Sequence, residues 1–195
     1  MNPYKQISIQ NQQQAHEIIS ELKIIEAWSE IGAQVNLIGS LKLGLLMKHL
    51  DIDFHVYTEE MDISKSFQAI SKISQHQGVK SVQYNNLLDA EDQCLEWHIV
   101  YLDENNAEWQ IDIMHIKKGS TYDGYFERVA DAIESRLTDE YRDIILRLKW
   151  ETPDDEKIMG VEYYRAVLEG GVKTIDELRE YRQSHQVNGI LNWLP

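Results

Sequence analysis

The stretch Val35-Asn-Leu-Ile-Gly39-Ser40-Leu-Lys42-Leu43-Gly44-Leu-Leu-Met-Lys48-His-Leu50-Asp51-Ile-Asp53-Phe-His55-Val-Tyr57 decides the reading of this chain. The apolar run at 35–38 predicts a short strand, Gly39-Ser40 a turn, the leucines of 41–49 a helix, and 53–58 an alternating strand. Alternation through the entry Asp51-Ile52-Asp53 puts Asp51, Asp53 and His55 on one face and Ile52, Phe54 and Val56 on the other. Two carboxylates two residues apart on one strand face repel unless a cation lies between them. Oxygen ligands on a rigid strand suit Mg²⁺, which takes one or two carboxylates and completes its sphere with water or substrate phosphates. The bland alternative is that Asp51 caps a turn and Asp53 pairs with a lysine.

Downstream, a third carboxylate sits in Trp109-Gln-Ile-Asp112-Ile-Met-His115. Its neighbours Ile111 and Ile113 place Asp112 in mid-strand, away from the apolar side, where it needs a partner; the same metal site would supply one. Upstream, Ala15, Ile18, Ile19, Leu22, Ile25, Trp28 and Ile31 recur at spacings of three and four, predicting one amphipathic helix over 11–32 that Gly32 closes. A helix over 64–77 and strands over 79–84, 94–102 and 108–116 follow, the last two joined by a polar hairpin at 103–107. Beyond Gly119 the pattern is helical throughout. Tyr125, Val129, Ile133 and Leu137 recur every fourth residue, and Thr152-Pro153-Asp154-Asp155 reads as a helix start. Gly170-Gly171 closes that helix, and Thr174 to Glu177 is a capping box opening another. The expected fold is α+β: a mixed, mostly antiparallel sheet flanked by helices over 1–118, with a helical subdomain over 119–195.

The order strand, Gly-Ser turn, ten residues, Asp-x-Asp on a strand, then a later strand acid resembles the nucleotidyltransferase superfamily with the polymerase-beta-like fold. The residues that carry the resemblance are Gly39, Ser40, Asp51, Asp53 and Asp112, with Gly44 matching a further frequent glycine; it covers residues 14–118. Size and acidity are similar to those of the small antibiotic-modifying members. The resemblance implies that Asp51 and Asp53 hold two Mg²⁺ ions and that Asp112 completes the catalytic metal site. It implies that Gly39 and Ser40 grip the triphosphate of an NTP donor, with pyrophosphate as leaving group. Many members have arginine before the second glycine and serine before the first aspartate, where this chain has Leu43 and Leu50. Lys42, Lys48 or an arginine from the helical part would then contact phosphate. The implied reaction is transfer of a nucleoside monophosphate to a hydroxyl or phosphate of a small acceptor. Modification of a protein side chain, as in toxin–antitoxin members, is the alternative within that chemistry. A degenerate module that only binds nucleotide or a partner is the alternative outside it.

Composition sets the outer limits. The 195 residues are 43% hydrophobic and 27% charged, with 19 basic and 33 acidic residues giving −14, an ordinary globular balance. That acidity argues against a protein that coats long nucleic acid and fits a cationic acceptor or a metal. One cysteine, no signal-like N-terminus and no membrane-length apolar run predict a soluble cytoplasmic protein. All seven arginines follow residue 120, so a guanidinium reaching the α/β unit would have to cross a cleft; ordinary solvation of helix faces is the plainer reading. His55, His98 and His115 lack zinc-ligand spacing and read as half-buried strand residues, with His55 also able to line the pocket. Glu96 and His98 share a strand face, as an exposed pair or a general base. Tyr122, Tyr125 and Phe126 read as core packing or as a stacking surface for a base. The apolar tail 189–195 predicts a segment tucked against the body, or a homodimer contact.

Overall fold

A computed structural model of the chain describes residues 3–91, 93–186 and 193–195. Five strands form one mixed sheet in the order β1-β2-β5-β4-β3: β1 (Gln34–Ile38), β2 (Asp51–Thr58), β3 (Val79–Asn86), β4 (Cys94–Leu102) and β5 (Glu108–Lys117). Only β2 and β5 run parallel; every other neighbouring pair is antiparallel. One face is apolar. Ile52, Phe54, Val56, Trp97, Ile99, Ile111 and Ile113 are buried there under α1 (Pro3–Glu21), α2 (Ile24–Ser29) and α4 (Ile63–Ile73). The alternation read from the sequence thus holds, and the opposite face carries Asp51, Asp53, His55, Glu96, His98 and Asp112.

A second core lies among α5 (Tyr125–Arg136), α6 (Asp139–Glu151), α7 (Gly160–Leu168) and α8 (Ile175–Ser184). It also takes Tyr4 and Ile7 from α1 and Leu43, Leu45 and Met47 from the connector before β2. Trp193 closes it, buried, with its indole Nε1 donating to Glu169 Oε1 at 2.7 Å. Leu194 beside it is exposed, and residues 189–192 of the apolar tail lie outside the described residues.

Three expectations are corrected. The helix of 11–32 is two helices, parted where Lys23 turns left-handed (φ 49°), and α1 begins eight residues earlier, at Pro3. Leu22 and Ile24 are both buried, and a continuous helix would send residues two apart to nearly opposite sides; the break lets both face the core. The helix of 41–49 is a single turn, α3 (Gly39–Lys42), which ends before Gly44 at φ +70°. Beyond it Leu43, Leu45 and Met47 point to the helical core while Leu46 joins Leu41 in the sheet core. That division of side chains between two cores is one a helix cannot make. Finally, Thr152 ends α6 and does not start α7. Its hydroxyl donates back to Leu148 O and accepts from Tyr163 OH, each at 2.8 Å, so it is not available to cap forward. Gly160 begins α7 instead, and the Glu162 carboxylate accepts from Met159 N at 2.8 Å.

Candidate active site

The register places the acids. Asp53 pairs with Ile38 on one side and with Asp112 on the other, so β2 sets it between the end of β1 and the middle of β5. At the end of β1 the chain turns through Gly39 in the left-handed region, φ +69°. A Cβ on Gly39 would stand 2.0 Å from Asp53 Oδ2, so only glycine lets the backbone cradle that carboxylate. Ser40 follows, its Oγ 2.9 Å from Tyr164 OH of α7 and accepting from Lys149 Nζ of α6 at 2.8 Å. The same ammonium donates to Leu45 O at 3.0 Å and Tyr164 OH at 3.2 Å. The predicted residues Gly39, Ser40, Asp51 and Asp53 are therefore brought together, with Asp112 one strand away.

Nearby cations offset the charge of Asp51 and Asp53 only in part. Burial above all, then Asp51 and Asp112, push Asp53 up to about 7, against which Lys149 acts. Burial and then Asp112 likewise raise Asp51, opposed by His49 and Lys149. Asp112 has partners of its own: His98 Nδ1 lies 2.6 Å from Oδ1, and Gln110 Nε2 donates to both oxygens at 3.1 and 3.0 Å. Partial burial disfavours the charged ring of His98, but its bonds and charge contact with Asp112 and then Glu96 outweigh this, and its pKa is raised.

Among the described residues no three Asp, Glu, His or Cys side chains converge closely enough to cage a metal on protein ligands alone. Mg²⁺ does not require that. Two adjacent carboxylates starved of cation, one of them held on a glycine backbone, fit an ion that takes its remaining ligands from water and phosphate.

Two clefts meet at Ser40, Asp51, Met159 and Gly160. One, of about 340 Å³, is cationic, with Lys48, His49, Lys149 and Lys157 around Asp51 and Gln110. The other, of about 430 Å³, runs from Gly39 and Asp53 along an apolar wall that includes Tyr125, Phe126 and Val129 of α5.

The remaining candidates fall elsewhere. Lys42 lines neither cleft; its Nζ lies 3.6 Å from Glu134 and 3.9 Å from Asp131, both on α5. Lys48 lines the cationic cleft but donates to Thr152 O at 2.6 Å and Asp154 Oδ1 at 2.7 Å. Among the described residues no arginine lines either cleft, and Arg142 instead donates to Leu43 O. The cation from the helical part that bonds Ser40 is Lys149, which the sequence reading missed. A signal was present: Lys149 follows buried Ile145 by four residues, on the inward side of α6. The histidines do not assemble. His55 is buried against Phe126, ring centroids 5.0 Å apart, and His115 packs edge-on against Trp28 on the other side of the sheet.

No family model and no curated protein sequence matches the chain. Solved structures do. Cid1 poly(U) polymerase bound to MgGTP superposes with a TM-score of 0.61 at 16% identity, covering 82% of this chain and 50% of that one. A second Cid1 structure, described by its RNA terminal uridylyl transferase activity, gives 0.58 at 18%, covering 80% and 48%. The non-canonical poly(A) polymerase complex GLD-2–GLD-3 gives 0.51 at 13%, covering 95% and 64%. The chain spans about half the length of the Cid1 structures it matches. These matches are poly(U) and poly(A) polymerases and do not single out the antibiotic-modifying enzymes. On topology, order of elements and superposition, the chain has the polymerase-beta-like nucleotidyltransferase fold.

Proposed function

We propose that the protein is a Mg²⁺-dependent nucleotidyltransferase that moves a nucleoside monophosphate from an NTP to an acceptor hydroxyl. The observation that carries this reading is the cation-starved Asp51–Asp53 pair facing Ser40 and Lys149 across the junction of two clefts. Asp51 and Asp53 would hold the metal, two ions in the full reading, with Asp112 as third ligand. Bound there, Mg²⁺ would neutralise charge on the attacking and leaving oxygens of an in-line displacement. The Lys149 ammonium and Ser40 hydroxyl, already bonded to one another, would take the donor's β- and γ-phosphates. The acceptor hydroxyl gives its proton to solvent, its oxygen forms a bond to the α-phosphorus, the bond to the bridging oxygen breaks, and pyrophosphate leaves. Tyr125 and Phe126 offer an aromatic wall for the donor's base or the acceptor's apolar body. A single cysteine, the buried Cys94, suits a reducing, cytoplasmic setting.

A net charge of −14 supports a small, cationic acceptor, because a long polyanion would be repelled by most of the surface. The likeness to poly(U) and poly(A) polymerases favours a second reading, addition to an RNA 3′ end.

One experiment separates them. Each α-³²P-labelled NTP is incubated with the enzyme and Mg²⁺, alone, with a panel of amine-bearing small hydroxyl compounds, with a short RNA, and with a cell-extract protein fraction. Label on a small compound supports the first reading, label on RNA the second, and label on added protein the toxin–antitoxin type. No Mg²⁺-dependent label with any acceptor overturns the enzyme reading and leaves a binding module, and label undiminished in Asp51→Asn overturns the assignment of Asp51 to the metal.

A further inference from the structure

Asp53, Asp112 and His98 stand side by side on the polar face of three adjacent strands. Asp53 opposes Asp112 in the parallel β2–β5 ladder, and His98 opposes Asp112 in the antiparallel β4–β5 ladder. Behind His98 the row continues. Its Nε2 lies 3.2 Å from Glu96 Oε2, and that oxygen also accepts from Asn85 Nδ2 of β3 at 2.8 Å. We infer that His98, oriented by Glu96 and Asn85, is a positioning residue that fixes the carboxylate of Asp112 toward the Asp51–Asp53 pair. The inference rests on the nucleotidyltransferase reading of Asp112 and deepens it.

The physical need is clear from the charges. Asp112 stands opposite Asp53 in the β2–β5 ladder with a charge of the same sign, so without restraint repulsion would turn its carboxylate away. Gln110 spans both oxygens of Asp112 and so favours neither. The 2.6 Å bond from His98 to Oδ1 breaks that symmetry and leaves Oδ2 for another ligand. His98 lines neither cleft, so its effect must pass through Asp112 and not through contact with substrate.

The test compares His98→Ala with His98→Asn. Both remove the imidazole and any charge it bears, but the asparagine amide stands where Nδ1 stood and still donates to Asp112. Mn²⁺ affinity is read by electron paramagnetic resonance of the free ion, without nucleotide, beside NMP-transfer kinetics and melting temperature. Partners that orient metal-ligating groups are typically worth ten- to a hundredfold in metal affinity or activity. The expected result is Mn²⁺ binding about tenfold weaker in His98→Ala than in His98→Asn. Alongside it, kcat should be lower by a similar factor, with KM for the NTP unchanged and melting temperatures alike. Equal Mn²⁺ affinity in the two variants overturns the inference, as does a wild type that binds no Mn²⁺. If the Mn²⁺ pattern holds and the wild type transfers no nucleotide, the positioning role stands and the proposed reaction falls.

Discussion

At Asp53, backbone conformation and charge meet in a single side chain. Its carboxyl is raised to about 7, first by burial and then by Asp51 and Asp112. An acid whose folded pKa exceeds its unfolded value binds its proton more tightly when folded. The stability it contributes is present at low pH and lost as pH rises from about 4 to about 7. In EDTA, the wild type should therefore lose stability relative to Asp53→Asn across that window, by on the order of 3 kcal/mol. Parallel pH profiles from thermal melts of the two proteins would contradict the assigned electrostatics. Gly39→Ala is expected to be worse than its left-handed φ alone requires, which is about 1–2 kcal/mol. The new methyl would strike Asp53 Oδ2, so Mg²⁺-dependent stabilisation by nucleotide should vanish along with several degrees of melting temperature. Retention of that stabilisation would remove the cradle from the argument. Lys149→Met keeps the length of the side chain and deletes the ammonium that bonds Ser40, Leu45 O and Tyr164. We expect KM for the NTP to rise by roughly ten- to a hundredfold, matching the loss of one charge-assisted hydrogen bond. An unchanged KM would show that the triphosphate lies elsewhere.

At the scale of elements, α5 is what joins the sheet to the helical core beside the site. Its Glu127 accepts from Tyr57 OH with both oxygens at 2.8 Å and from Asn36 Nδ2 at 3.0 Å, tying the helix to β2 and β1. Burial, then the Glu127 bond, holds the Tyr57 hydroxyl protonated far above its ordinary range. Glu127→Ala would leave two partly buried donors unpaired, at a cost of roughly 2–3 kcal/mol. Urea unfolding should show a lower midpoint with unchanged slope; a shift below about 0.5 kcal/mol, the usual surface value, would mean the tie is ornamental. Because α5 also forms the wall of the larger cleft, Glu127→Ala should loosen nucleotide binding as well as the fold. The connector 43–50 acts at the same scale. Its side chains are shared between two cores, so it locks β2 and its acids against the helices that deliver Lys149.

Over the whole molecule, charge is distributed unevenly. The chain is acidic overall, yet Lys48, His49, Lys149 and Lys157 gather around one cleft. On the proposed small-acceptor reading, a field of that form would admit a short polyanion such as a triphosphate and repel a long one. Fluorescence anisotropy with a labelled 30-mer RNA should therefore show weak binding at moderate salt. Its salt slope should be shallow, reflecting few phosphate contacts. Tight binding with a steep slope would move the acceptor reading to RNA, in line with the polymerases whose fold this chain shares.

What the sequence determined by itself is what is local or periodic. Strand alternation set Asp51, Asp53 and Asp112 on the polar side of their strands, and the capping box at Thr174 and Glu177 set the start of α8. The Gly-Ser turn and Asp-x-Asp spacing carried the resemblance that led to the fold, and strand period by itself put the two carboxylates on one face, because it acts within a few residues. The tertiary structure alone decided where patterns compete. Residues 41–49 carry helix-forming leucines but serve two cores, and Thr152 bonds backward to α6 where its neighbours advertise a forward cap. It alone revealed Lys149 as the cation at Ser40, the loss of Lys42 to ion pairs on α5, and the His98–Asp112 contact. Each of these joins residues between 14 and 109 positions apart, and no spacing rule reaches across such distances. Packing of the two cores around one connector brings Lys149 to Ser40 and Lys42 to α5, and pairing of β4 with β5 brings His98 to Asp112.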